Sequence, residues 1–464
     1  MVRPSTVGQL RESGYAVLSV KDEMRKNLIG KLRRGEELFP GIVGYEETVI
    51  PQLENAVLSG QDVVLLGERG QAKTRIARSL VSLLDDEVPA LAGSEINDNP
   101  FHPVSSFGRQ LIEEKGDEAE IVWIPRDLRY GEKLATPDIT IADLIGEVDP
   151  IKVAEGRYLS DELTIHYGLL PRTNRGIFCI NELPDLAERI QVGLLNIMEE
   201  RDVQIRGYKV RLDLDLFVVA SANPEDYTNR GRIITPLKDR FGAQIRTHYP
   251  RSLQHEIEIM EAERTPFVVE GVETVVPDFM REIVAEITHL ARRSPDISQR
   301  SGVSVRVSIT NYESVLSNAL KRAIRTGESQ AVPRVSDLGA AIASTGGKVE
   351  LESFGDTRED KILEKIISGA VLAVWNRTFS PSEFQALTEA FDNGARIEVS
   401  DRLPSSEYTR QASELPNLSE AVRKLGAAGS PAAVASAVEF VLEGLHLNRR
   451  LNKDRVDGVV QYKS

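Results

Sequence analysis

The sequence predicts an α/β core, a parallel sheet with helices on both faces, followed by mainly helical segments. Three observations predict it. Short apolar runs at Val63–Leu66, Ile177–Ile180 and Leu216–Ala220 alternate with helical patterns between Asp62 and about Pro250. Each run is bounded by turn residues and lacks polar alternation, as strands buried on both faces do. From residue 251 onward apolar residues recur at helical spacing instead, as in Ile283, Ile287 and Leu290 or Tyr312, Val315, Leu316 and Leu320.

The chain is 464 residues long, 51.4 kDa, so its length predicts about three domains and a core that needs no covalent staples. Its single cysteine, Cys179, rules out an internal disulfide framework and a cysteine-based zinc cluster, and fits a reducing compartment. Six histidines are scattered without metal-ligand spacing. His255-Glu256 begins like a zinc-protease helix, but Ile259 stands where the second histidine belongs. The formal net charge of −14 repels a phosphate backbone and disfavours nucleic-acid binding. No apolar run reaches the roughly 18 residues of a membrane span, and the N-terminus lacks an apolar stretch of signal-peptide length. A soluble, cytoplasmic protein is expected.

Residues 1–38 read as a solvated helical arm, with weak periodicity through Met24, Leu28 and Leu32. The α/β core is expected over 39–250, opening with a short helix through Val49, Leu53 and Val57. A helical domain over 251–345 follows, and a Gly- and charge-rich cluster from Gly346 to Asp360 marks a boundary. The extension 346–464 is expected to be mainly helical, with Asp392–Thr409 a polar, poorly ordered connection. Its last helix starts at Ser430 as N-cap with Pro431 at the first position, and its stripe Val434, Val438, Val441, Leu442 and Leu445 is expected to pack internally.

The sharpest chemical signal is Gly67, Glu68, Arg69, Gly70, Gln71, Ala72, Lys73 and Thr74, between the run Val63–Leu66 and a helical pattern. A phosphate chain needs backbone N–H groups turned inward, a helix N-terminus, a lysine for the β- and γ-phosphates and a hydroxyl for Mg²⁺. Gly67, Gly70, Lys73 and Thr74 sit where those roles require them. Ala72 departs from the usual glycine, which is harmless if its φ is negative. The alternative is an ordinary strand–turn–helix with a surface lysine.

A second signal is Gly176–Glu182, an apolar strand ending in Asn181-Glu182. Glu182 can polarise water as the general base. Asn181 offers Mg²⁺ a carbonyl in place of a carboxylate, a weaker hold. A third is the stretch 216–227, a buried strand ending in Ser221-Ala222-Asn223-Pro224, whose Asn223 could orient the attacking water, with Arg240 following as an arginine-finger candidate for a neighbouring subunit. Taken singly, these are a strand end with a helix cap and a surface ion pair; their order lifts them.

These residues resemble AAA+ ATPases, in the branch holding the magnesium chelatase I subunit and the MoxR-type ATPases. The segment Gly41–Tyr45, including Val43 and Gly44, is similar to the one beside the adenine in that branch. Asn174-Arg175-Gly176 and the run from Asn223 to Gly242 are also similar, and Ser304-Val305-Arg306 resembles the lid arginine that senses the γ-phosphate. The likeness covers residues 38–325 or so. It implies that 251–345 is a helical lid and that 126–171 holds an insertion, with Leu144–Asp149, Gly156–Leu159 and Gly168–Pro171 similar to chelatase segments. It also implies a hairpin before the third strand, through Val203 and Ile205, a turn at Arg206-Gly207, then Val210 and Leu212.

The resemblance implies an ATP- and Mg²⁺-using ring, expected to be hexameric, that remodels or loads a partner in metal insertion or protein maturation. No Asp-x-Ser-x-Ser metal-adhesion motif occurs, so a separate von Willebrand A domain protein is expected to supply it. Two other readings stay open. Asn181 favours an ATP-binding ring scaffold with little hydrolysis. The basic tail, Arg449, Arg450, Lys453 and Arg455, is the one support for a DNA-associated ring motor.

Overall fold

The computed structural model describes residues 3–148, 164–199, 202–205, 208–223, 231–298, 302–352, 359–400, 402–456 and 459–464. Asp149, Gly156–Leu159, the turn at Arg206-Gly207 and Pro224–Arg230 lie outside them. The chain divides into two compact units, Met1–His248 and Tyr249–Ser464.

In the first unit five strands form one sheet: β1 (Val63–Leu66), β2 (Tyr130–Leu134), β3 (Gly176–Asn181), β4 (Leu216–Ala222) and β5 (Ala243–Arg246). Their order is β5-β1-β4-β3-β2, and every neighbouring pair is parallel. All six residues of β3 are buried, and only the first of β4's seven is partly exposed. This is the burial that their unbroken apolar runs predict. The edge strands β2 and β5, YGEKL and AQIR, carry polar residues, partly buried in β2 and exposed in β5, and escape an apolar-run reading.

Alternate strand residues point to opposite faces, so the sheet builds two cores. Val63, Leu65, Ile177, Cys179, Phe217 and Val219 meet α1 (Val20–Arg34), α2 (Val49–Leu58) and α3 (Lys73–Ser79). Val64, Phe178, Ile180, Val218 and Ala220 meet α4 (Glu188–Glu199) and α5 (Thr235–Arg240).

The N-terminal residues are helical but are no solvated arm. Ser19 caps α1, accepting from the Asp22 backbone N–H, and Val20, Met24 and Leu28 at i, i+4, i+8 are buried with the β1 and β4 side chains. Each such burial stabilises by about 1.5–3 kcal/mol. Leu32, at the end of the stripe, is 42% exposed.

Within 126–171, β2 belongs to the central sheet, so the departure from the core begins only after Leu134. The described part holds an antiparallel pair, Gly146–Val148 with Ile165–Tyr167, flanked by short helices at Ile141–Leu144 and Leu169–Arg172. The backbone pairing of Asp202–Ile205 with Tyr208–Arg211 makes the hairpin before β4.

In the second unit α6 (Leu253–Glu263), α7 (Asp278–Ala291), α8 (Val305–Thr326), α9 (Glu359–Thr378) and α10 (Pro431–Leu447) share a single core. The segments 251–345 and 346–464 therefore do not have separate interiors. Phe279 stacks on Phe440 at 4.7 Å between ring centroids. Trp375, fully buried, lies where a Cβ on Gly444 would be, so only glycine lets α9 and α10 approach so closely. Ser430 caps α10 through the Ala433 N–H, and the stripe packs inward. Asp392–Thr409 is not a loose connection: Ile397–Val399 pairs with Val459–Lys463, and a helix runs from Ser405 to Glu414. Its buried hydrophobic residues, Ile397, Val399 and Tyr408, are too sparse to register as a periodic pattern.

Candidate nucleotide-binding site

The C-terminal end of β1 turns through Gly67–Ala72 into α3, placing a loop and a helix N-terminus at the carboxyl edge of a parallel sheet. Open α/β sheets bind ligands at this edge. Gly67 is a close-approach position: a Cβ there would overlap Thr247 Oγ1 and Gln71 Oε1. Gly70 has φ 76°, the left-handed region that glycine adopts without strain. Ala72 has φ 54°, also left-handed, so the benign negative φ expected from the sequence is not what the loop uses. An alanine there costs roughly 1–2 kcal/mol in backbone sterics.

Two anchors hold the loop. Tyr45 Oη hydrogen-bonds to the backbone oxygens of Gln71, at 3.0 Å, and His248, at 2.7 Å. Burial pushes its phenol up to about 12, so it is a neutral donor at every working pH. The other anchor is Gln71, buried, whose Oε1 accepts from Thr247 Oγ1 at 2.7 Å. Upstream, Gly41 and Gly44 take φ of 77° and 82°, turning the chain on either side of half-buried Val43. Glu68 and Arg69 belong to the loop itself.

Lys73 is 6% exposed, and Nζ donates to the carbonyl oxygens of Gly67 and, at 2.9 Å, Glu68. The next residue, Thr74, donates from Oγ1 to Asn181 Oδ1 at 3.4 Å, joining the start of α3 to the end of β3. Ser221 Oγ donates to the same oxygen at 3.2 Å, and Cys179 Sγ lies 3.8 Å from it. The donor set at this point is a hydroxyl and an amide oxygen, hard oxygen ligands that suit Mg²⁺. Burial pushes the Cys179 thiol up to about 12, so it adds no thiolate.

Glu182 follows with φ 56°, an unusual conformation for a side chain of its size, and its N–H donates to Ser221 Oγ at 3.2 Å. Asn223, 2% exposed, stands at the end of β4, one residue past the Ala222 carbonyl that accepts the Gly67 N–H at 3.1 Å. The structure thus brings Gly67, Lys73, Thr74, Asn181, Glu182 and Asn223 to one edge of the sheet. Arg240 ends α5, 43% exposed at its side chain, and is ion-paired with Glu199 at the end of α4. Arg306 belongs to the second unit, exposed at the second residue of α8.

One neighbour escaped the sequence reading. Glu132, in the middle of β2, is the register partner of Cys179, so its side chain lies on the same face as Asn181. Glu132 Oε1 accepts from Asn181 Nδ2 at 2.8 Å, and both its oxygens take Arg78, at 2.7 and 3.0 Å. Burial raises its carboxyl, but hydrogen bonds from Arg78 and Asn181 outweigh that and hold it below the usual carboxylate range. A lone glutamate in a polar five-residue strand gives no sequence signal; the pairing register alone reveals it.

No family model matches the chain. Among curated proteins it is 28% identical over 237 residues to the magnesium-chelatase subunit ChlI-2 of Arabidopsis thaliana, covering 49% of this chain and 52% of that one. It is 25% identical over 329 residues to ChlI of Nephroselmis olivacea, covering 66% and 86%. The chain is thus similar to magnesium chelatase I subunits. It spans about half the length of the first plant relatives it matches, 52% in each of two Arabidopsis subunits. A solved complex between the magnesium chelatase subunits BchI and BchD aligns with 70% of this chain and 98% of its own, at 20% identity and TM-score 0.37. Among the described residues of this chain no three His, Cys, Asp or Glu side chains form a metal cluster. No helix among them is long and apolar enough to cross a membrane.

Proposed function

We propose that this chain is a Mg²⁺-dependent ATPase that assembles as a ring, hexameric by its family's pattern, and remodels or loads a partner protein. The observation that carries the reading is the convergence of the Gly67–Thr74 loop with Asn181, Glu182 and Asn223 on one sheet edge. Loop N–H groups, the α3 N-terminus and Lys73 would hold the phosphates, and Val43 and Gly44 would border the base. Thr74 and Asn181 would hold Mg²⁺, which would supply positive charge for the phosphate chain. Glu182 would take the proton from the attacking water, which Asn223 would orient. Arg240 would act on the γ-phosphate of a neighbouring subunit, and Arg306 would contribute from the lid.

The partner we propose is a von Willebrand A domain protein, in metal insertion or protein maturation, and the location the cytoplasm. The ChlI names of the relatives support the metal-insertion side of this reading. A second reading, a nucleotide-gated scaffold that hydrolyses little, is favoured by Asn181 in the acidic pair and by the left-handed Ala72. A third reading, a DNA-associated ring motor, rests on the basic tail alone, in which Lys453 is ion-paired with Glu443 at 2.7 Å while Arg449, Arg450 and Arg455 are exposed; the net charge of −14 weighs against it.

The deciding experiment is Mg²⁺-dependent ATP hydrolysis above and below the assembly concentration, with Glu182→Gln and Arg240→Ala alongside. Turnover that rises with assembly and vanishes in both variants supports the motor. Tight binding without turnover supports the scaffold, and absence of ATP binding overturns both.

A further inference from the structure

We infer that Glu132 is a positioning residue whose acceptor-only carboxylate locks the Asn181 amide so that its oxygen, and not its NH₂, faces the Thr74 hydroxyl where Mg²⁺ binds. The inference rests on the nucleotide-binding reading above and deepens it.

An aspartate at position 181 would present two equivalent oxygens, whichever way it turned. An asparagine does not: one end accepts and the other only donates, and a 180° turn would aim N–H groups at a cation. Something must therefore choose the orientation. Asn181 has four hydrogen-bonding neighbours among the described residues. Thr74 Oγ1, Ser221 Oγ and Cys179 Sγ surround Oδ1 at 3.4, 3.2 and 3.8 Å, and Glu132 Oε1 faces Nδ2 at 2.8 Å. The first three can donate or accept by rotating a hydrogen, so they tolerate either orientation. An ionised carboxylate cannot donate. Reversing the amide would set Oδ1 against Glu132, losing a charge-assisted bond and adding repulsion between two acceptors.

Glu132 is itself fixed. Its strand is held in parallel register with β3, and Arg78, one turn after Thr74 on α3, grips both its oxygens. Loop, strand end and amide orientation are thus set by one connected group of side chains, Thr74–Asn181–Glu132–Arg78.

The test is the affinity of the full chain for a fluorescent N-methylanthraniloyl ATP, titrated in EDTA and in excess Mg²⁺, each variant's Mg²⁺-dependent gain being compared with its own EDTA value. Circular dichroism checks that each variant is folded. Glu132→Ala frees the amide, and the gain should fall about 10–100-fold, the range for losing a partner that orients a metal ligand. Glu132→Gln, whose amide can donate as well as accept, fixes the orientation less firmly, and its gain should fall between those of wild type and Glu132→Ala. The discriminating variant is Glu132→Ala combined with Asn181→Asp. A carboxylate needs no orienting, so the gain should return.

A gain that survives Glu132→Ala, or one that stays lost in the double variant, overturns the inference, since a merely structural glutamate is not rescued at position 181. Wild-type chain that binds in EDTA but gains nothing from Mg²⁺ overturns the Asn181 role and this inference with it. Wild-type chain that binds in neither condition overturns the nucleotide site itself, a distinct result.

Discussion

Glu23 and Arg129 face each other as a buried bidentate pair, Nη1 to Oε1 and Nη2 to Oε2, both at 2.7 Å, with the side chains 4% and 1% exposed. Arg129 Nε also donates to the Arg175 carbonyl at 2.8 Å, and Glu23 Oε1 accepts the Asp85 N–H at 2.6 Å. A Cβ on Gly176 would overlap the Arg129 carbonyl oxygen. The pair therefore joins the N-terminal helix α1 to the starting points of β2 and β3, beneath the site.

Removing one partner leaves a buried charge alone. Glu23→Ala is expected to destabilise the protein by about 3–5 kcal/mol, the usual cost of breaking a buried pair from one side. Urea unfolding of the full chain measures it; a loss under 1 kcal/mol would mean that α1 is not docked as described.

Ala72→Gly should stabilise. Relief of the left-handed alanine returns roughly 1–2 kcal/mol, and the extra backbone freedom of glycine in the unfolded chain takes back about 0.5–1 kcal/mol. A net gain of about 0.5–1 kcal/mol is expected in the urea midpoint. A loss would show that residue 72 does not use positive φ.

Arg240 and Glu199 give opposite outcomes in stability and turnover. Their pair is 43% and 36% exposed, so Glu199→Gln should change stability by under about 1 kcal/mol. If Arg240 acts on a neighbour's γ-phosphate, Arg240→Ala should cut assembly-dependent turnover by about 10³–10⁵-fold at unchanged stability. Equal turnover in Arg240→Ala and wild type would remove the residue from the mechanism.

A pH effect is expected in the second unit. Burial pushes the Glu256 carboxyl up, but Arg292 and Ser308 donate to it and the His289 ring lies 3.5 Å away, and the balance lies below its ordinary value. A carboxyl lowered in the folded state contributes stability above its unfolded pKa and loses it as pH falls through the folded one. Wild type should therefore lose stability below about pH 4.5 more steeply than Glu256→Gln, with parallel behaviour from pH 6 to 8. Urea midpoints from pH 8 to 3 for both proteins check this, and parallel curves throughout would refute the assignment.

The central strands and the phosphate loop were legible because each rests on local chemistry. Val63–Leu66, Ile177–Ile180 and Leu216–Ala220 are apolar because both their faces are covered, and Gly67, Gly70, Lys73 and Thr74 follow each other along the chain. The capped helix at Ser430 is likewise written in adjacent residues. The burial of α1 was not legible, since Val20, Met24 and Leu28 form too narrow a stripe, and the Glu23–Arg129 pair joins residues 106 positions apart. The edge strands escaped because one exposed side dilutes their apolar content.

What the sequence determined by itself is therefore the kind of core, the loop that suits phosphate and the identity of the groups at the ends of β3 and β4. Tertiary structure decided the rest: the positive φ of Ala72, the single core of the second unit, and Glu132 beside Asn181. Strand register is a long-range property, because a hydrogen-bonded ladder brings together residues that the chain separates. No local pattern around Glu132 records that Asn181 will lie on its face, two residues past its register partner Cys179, and that placement governs which end of the amide faces the metal position.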